Sequence, residues 1–163
     1  MKQQGATLIQ MMLALALVGV LTQLAAPAYT AIRHDLHLAS AARELAQALR
    51  YARNHAALLG QSVQVTALEG DWSNGWQIGL ATPQQVLRER RLTGGLRIVS
   101  NGGTRVTFSA LGVPLGPGAS LYAATLSVCQ QRRATRAHQV VIASSGRVDL
   151  RTEPQAEPRC ATG

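Results

Sequence analysis

The stretch that most limits what this chain can fold into lies at its start. From Ala6 to Ala26 only Thr7, Gln10, Thr22 and Gln23 interrupt an otherwise apolar run. About 20 such residues in a helix reach across a bilayer. The run is apolar all round rather than along one stripe, and Lys2 stands just before it; both features argue against a helix of a soluble core. A secretory signal peptide is the competing reading, with Lys2 as its basic region, residues 11–21 as its apolar region and Ala26-Pro27-Ala28 as a small-x-small site before Tyr29. The segment after Tyr29 argues for retention. Ile32, Leu36, Ala39, Ala42, Leu45, Leu49, Ala52, Ala56 and Leu59 recur at three- and four-residue steps, the spacing of an amphipathic helix. Between run and stripe the one breaker is Pro27, a residue that can kink a long helix instead of ending it. The two segments therefore read as one helix, its first half in lipid and its second against a domain.

With 163 residues there is room for one domain and its attachments. The net charge is +8, and nearly all of the excess is arginine downstream of the apolar run. Such a surface attracts nucleic acid, anionic lipid or acidic protein without choosing among them. Cys129 and Cys160 are too few for a disulfide scaffold and wrongly spaced for zinc. In an exported, oxidising compartment they can pair and tie the chain's end to a strand.

Gly60 can cap the long helix, and beyond it the pattern changes. Strands are expected at 62–66, 76–80, 86–92, 96–100, 105–109, 120–129, 139–143 and 147–151, separated by turns rich in glycine, asparagine and proline. The expected fold is α+β, a long N-terminal helix laying its apolar stripe across antiparallel β-sheets. Residues 152–163, with Pro154 and Pro158, read as an irregular tail.

No convergent set of catalytic groups is evident. His34 and His37 could share a helix face and a metal, but no third ligand is near in sequence. Ser144-Ser145-Gly146 reads as a turn and lacks the strand-to-helix setting of a nucleophile elbow. Residues 112–118 contain prolines and no lysine, unlike a phosphate-binding loop. Trp72 and Trp76 read as packing residues. The expectation is a non-enzyme with no cofactor and no metal, acting by assembly or binding. Arginines supply the candidate surface: Arg132, Arg133 and Arg136 in a basic loop, then Arg147 and Arg151. If 147–151 is a strand, Val148 and Leu150 face the core while Arg147, Asp149 and Arg151 share the outer face. These arginines are candidates for sequence-independent contact with double-stranded DNA; a solvated sheet face or a contact with another subunit is the alternative.

Gly5-Ala6-Thr7-Leu8-Ile9-Gln10-Met11, behind a short leader containing Lys2, resembles the prepilin signature of type IV pilins and type II secretion pseudopilins. The resemblance implies cleavage between Gly5 and Ala6 by a prepilin peptidase, methylation of the new amine, and a helix kept for anchoring and subunit docking through Gln10 and Pro27. Ala6 stands where the family usually has phenylalanine, and Gln10 where it has the glutamate that pairs with a neighbour's terminal amine. Losing that carboxylate eases burial of the helix in lipid but removes a docking charge, a pattern that suits a minor subunit.

Four further pieces, in order, resemble the GspH/FimT group: Ala52-Arg53-Asn54-His55-Ala56, Trp72 to Trp76, Val106-Thr107-Phe108-Ser109 with Gly112, and Val140 to Val148. By that resemblance residues 1–5 are the leader, 6–28 the transmembrane and assembly helix, 29–151 a periplasmic pilin-like domain and 152–163 the tail. The implied setting is the bacterial inner membrane, crossed once. The implied partners are other pilin or pseudopilin subunits, the prepilin peptidase, an inner-membrane assembly platform and membrane lipid. In FimT-like members a Gly-Arg-x-Arg element contributes to DNA binding; Gly146-Arg147 matches its first half, and Asp149 stands in the place of the second arginine. The implied function is a minor pilin of a DNA-uptake filament, with a secretion pseudopilin, or more remotely a soluble periplasmic binding protein, as alternatives.

Overall fold

The computed structural model describes residues 8–116, 118, 120–130, 133–153 and 160, with side chains except at 23–28, 30–31, 133–136 and 153. The chain divides into two units, residues 1–37 and 38–163. The helix α1 (Leu8–Leu59) contributes to both, and Pro27 lies within it. In the first unit the large apolar side chains of residues 8–22 are exposed, Leu8 and Ile9 at 76% and 77%. Among the described residues no helix is long and apolar enough to cross a membrane. Side chains of the apolar run are described only as far as residue 22, so the expected span over 6–28 extends past them at both ends.

In the second unit α1 buries Leu38, Ala41, Ala42, Leu45, Ala46, Leu49, Ala52 and Ala56. Leucine and alanine at steps of three and four make a narrow stripe, and the small alanines let the helix backbone approach the sheets closely. The expected stripe holds from Ala42 to Ala56, whereas Ile32 and Leu36, which fall in the first unit, are exposed. Gly60 ends the helix at φ +62, and the amide of Gln61 reaches back to the carbonyl of Ala56, which is how a left-handed glycine satisfies a terminal carbonyl.

Among the described residues nine strands come after the helix: β1 (Val63–Ala67), β2 (Gly75–Leu80), β3 (Gln85–Arg91), β4 (Leu96–Ser100), β5 (Arg105–Phe108), β6 (Pro114–Leu115), β7 (Ala124–Gln130), β8 (Arg133–Ile142) and β9 (Val148–Glu153). They form a five-stranded sheet in the order β3-β2-β1-β5-β6 and a four-stranded sheet in the order β4-β7-β8-β9, and every pairing is antiparallel. Val63, Val65, Val106 and Phe108 of the first sheet join Leu126, Val128, Val140 and Ile142 of the second and the α1 stripe in one buried core. Trp72 and Trp76 are packing residues, 3% and 2% exposed, and the indole N–H of Trp72 donates to the carbonyl of Gly103 at 2.8 Å.

Two expectations shift. The strand expected over 120–129 begins at Ala124, because Leu121 instead bridges to Leu115. The basic stretch read as a loop is largely strand: β8 starts at Arg133, six residues before the expected 139. Residues 133–138 carry no apolar alternation, so their strand character comes from pairing with β7 and β9 and not from local pattern.

Candidate assembly and nucleic-acid interface

Of the residues expected to process and dock the N-terminal helix, Gly5 and Ala6 lie outside the described residues, as does the side chain of Pro27. Gln10 is described, exposed, and engaged in an interaction.

Of the candidate arginines, Arg133, Arg136, Arg147 and Arg151 fall on the β8–β9 hairpin. Arg132 lies outside the described residues, and of Arg133 and Arg136 only the strand backbone is described. Arg147 sits in the turn just before β9, and Arg151 lies within that strand. Along the strand backbone the described positions are spread out. Ala143 and Arg147 face each other at the turn, and Arg136 is seven residues back along β8, so roughly 23 Å separates it from Arg147 at the usual strand rise. Arg151 lies between, opposite Gln139.

Burial follows the expected alternation: Val148 is buried and Leu150 packs partly against the core, while Arg147 and Arg151 are exposed. The Arg147 Nε lies 2.9 Å from the Asp149 carboxylate. This pair is solvent-exposed and so contributes little to stability, but its carboxylate opposes a phosphate at Arg147. Arg151 has no partner among the described residues and is the free cation of the element.

One further arginine holds this hairpin and another holds the turn beside it, roles that sequence reading missed. Arg50, on α1, donates from Nε and Nη2 to the carbonyl of Val148, at 3.1 and 2.9 Å. Arg53, one turn on, donates to the carbonyl of Gly112 at 3.2 Å. Gly112 and Gly146 occupy the same place in two similar turns. In each a glycine of positive φ follows three residues, and its amide returns to the first, Gly112 to Ser109 and Gly146 to Ala143. The turns also touch: a Cβ on Gly146 would collide with the carbonyl of Gly112. Only glycine meets both the backbone angle and the close approach. The available signal was the shared spacing in Ser109-Ala110-Leu111-Gly112-Val113 and Ala143-Ser144-Ser145-Gly146-Arg147, but nothing local joins them to residues 50 and 53.

On the face of the four-stranded sheet that also carries Arg151, Cys129 and Cys160 form a disulfide, with Cα atoms 6.2 Å apart, a separation proper to such a bridge. Ala137 packs against it. Elsewhere, burial raises the pKa of Tyr122 above its ordinary 10.0, which keeps the phenol protonated as donor to the carbonyl of Gly102. Among the described residues no group of histidine, cysteine or carboxylate side chains could hold a metal.

Comparison with known proteins gives this architecture a setting. The model of the family described as type II transport protein GspH matches residues 41–146. Among solved structures the chain is similar to the type IV minor pilin FimU of Pseudomonas aeruginosa, with 26% identity and a TM-score of 0.65, covering 76% of this chain and 94% of that one. It is also similar to the minor pseudopilin EpsH from the type 2 secretion system of Vibrio cholerae, with 17% identity and a TM-score of 0.55 over 68% of this chain and 93% of that one. The second likeness shows the fold alone. No match is found among the curated proteins.

Proposed function

The chain belongs to the GspH family, and from that premise we propose that it is a minor subunit of a type IV pilus-like filament. The coarser statement, a minor pilin or pseudopilin, follows from the family and from the likeness to FimU, and both structural likenesses give the pilin-like fold. The observation that carries the finer choice is the likeness to FimU, a type IV minor pilin, which extends over 94% of that chain. In this reading residues 1–5 are removed at Gly5, residues 6–28 hold the chain in the inner membrane before assembly, and 29–151 form its periplasmic domain. Gln10 and Pro27 then belong to the helix that packs into the filament core. The exposed apolar side chains of residues 8–22 support such packing, because a surface of that kind calls for lipid or a partner. The alternative is a pseudopilin of a type II secretion apparatus.

Double-stranded DNA is a second proposed partner, favoured by one observation: Arg151 stands exposed, and unpaired among the described residues, on an outer sheet face of a chain carrying +8. Filament membership is tested by shearing surface filaments from cells making the chain and probing them for it. We expect the shortened chain in the sheared fraction. Its retention in the envelope, together with loss of protein export when it is deleted, would favour the secretion apparatus.

A further inference from the structure

The edges of the two sheets are finished differently. On β4 the outward amide of Ile98 donates to Ser73 Oγ at 3.0 Å, which blocks the middle of that edge. On β9 the outward carbonyl of Val148 is taken by Arg50. The β3 edge has no such cover among the described residues. The amide of Leu92 donates to the carbonyl of Asn74, and Arg90 and Arg91 lie opposite Trp76 and Gly75. Because strand groups alternate, the N–H and C=O of Glu89 and Arg91 then point away from β2, and among the described residues they have no backbone partner.

Beside this edge, between β3 and α1, lies a groove of about 350 Å³. Ala48, Tyr51, Trp76 and Ile78 form its apolar floor, and Arg88 and Arg90 stand on its rim. Charged side chains on an edge commonly guard against unwanted pairing, but here the charges are unevenly answered. Arg90 is paired with Glu44 at 2.8 Å. Arg91 is paired with Glu89 at 2.9 Å and Glu69 at 3.4 Å. Arg88 lies over the Tyr51 ring, 5.0 Å from its centroid, with no carboxylate among the described residues.

We propose that the β3 edge and its groove receive an extended segment of a partner subunit by strand addition, with a carboxylate opposite Arg88. The open amides and carbonyls supply the main-chain bonds, and the groove takes alternate side chains of the added strand. Residues directly opposite on one face are close enough for a carboxylate to meet the guanidinium. The occupant's chemistry is set by Arg88, the rim charge that no carboxylate answers among the described residues. This proposal rests on the reading that the chain works among other subunits, but its test requires no filament, so the two can fail separately.

The probe is the synthetic peptide acetyl-Thr-Val-Thr-Glu-Thr-Val-Thr-amide, titrated into isotope-labelled full chain in detergent micelles. The amide resonances of Glu89 and Arg91 should shift, and their hydrogen exchange should slow about fivefold at four times the dissociation constant. Replacing the peptide's glutamate by lysine, or Arg88→Glu in the chain, should weaken binding by about tenfold, and N-methylation of the peptide backbone should abolish it. No shift at Glu89 and Arg91 up to ~5 mM peptide, or equal binding of the lysine peptide, would overturn the proposal.

Discussion

At the scale of single residues, the arrangement around Arg147 and Arg151 decides what the basic surface can do. Both are exposed and both belong to the same outer face, yet Asp149 sits between them and pairs with Arg147. One phosphate contact is therefore expected from this element, not two. Each neutralised phosphate contributes about −0.9 to the slope of log affinity against log salt. With the full chain in detergent and a short labelled duplex, Arg151→Ala should make that slope shallower by about 0.9 while Arg147→Ala leaves it nearly unchanged. Asp149→Arg should steepen it by roughly two, since it frees Arg147 and adds a cation. An absence of binding at low salt, or an Arg151→Ala slope equal to that of the parent chain, would remove DNA as a partner.

At the scale of elements, the disulfide joins residues 31 apart and fixes Cys160 against β7. Closing a loop of that length is worth about 3 to 4 kcal/mol through the unfolded chain. Reduced protein and the Cys160→Ser variant should therefore unfold at the same lowered denaturant midpoint. A midpoint unmoved by reductant would show that the bridge contributes nothing. Elements also differ in how far they could be read from sequence. The α1 stripe and the cores of β1, β4 and β5 were legible because period and burial coincide, as in the alternating burial of Val63 to Ala67. The start of β8 was not, since Arg133 to His138 become strand through partners. Two-residue β6, opening on a proline, carries too little pattern to detect. The site was less legible still: the pairing of Arg147 with Asp149 depends on side-chain placement, and Arg50 meets Val148 across 98 residues of sequence, a distance over which local periodicity is silent.

At the scale of the whole molecule, the chain combines a pilin-like domain with an apolar N-terminal helix segment, and its proposed role turns on whether that segment is kept. Retention is proposed from the resemblance of residues 5–11 to a prepilin signature, and Gly5-Ala6 is the proposed point of processing. A branched side chain at the cleavage position should obstruct the peptidase, so Gly5→Val is expected to leave the chain unprocessed. The most direct measurement is the intact mass of the chain extracted from membranes of its own host. The expected result is loss of residues 1–5 with addition of one methyl group, and the full-length mass for Gly5→Val. A mature chain that begins at Tyr29, released by signal peptidase, would contradict it.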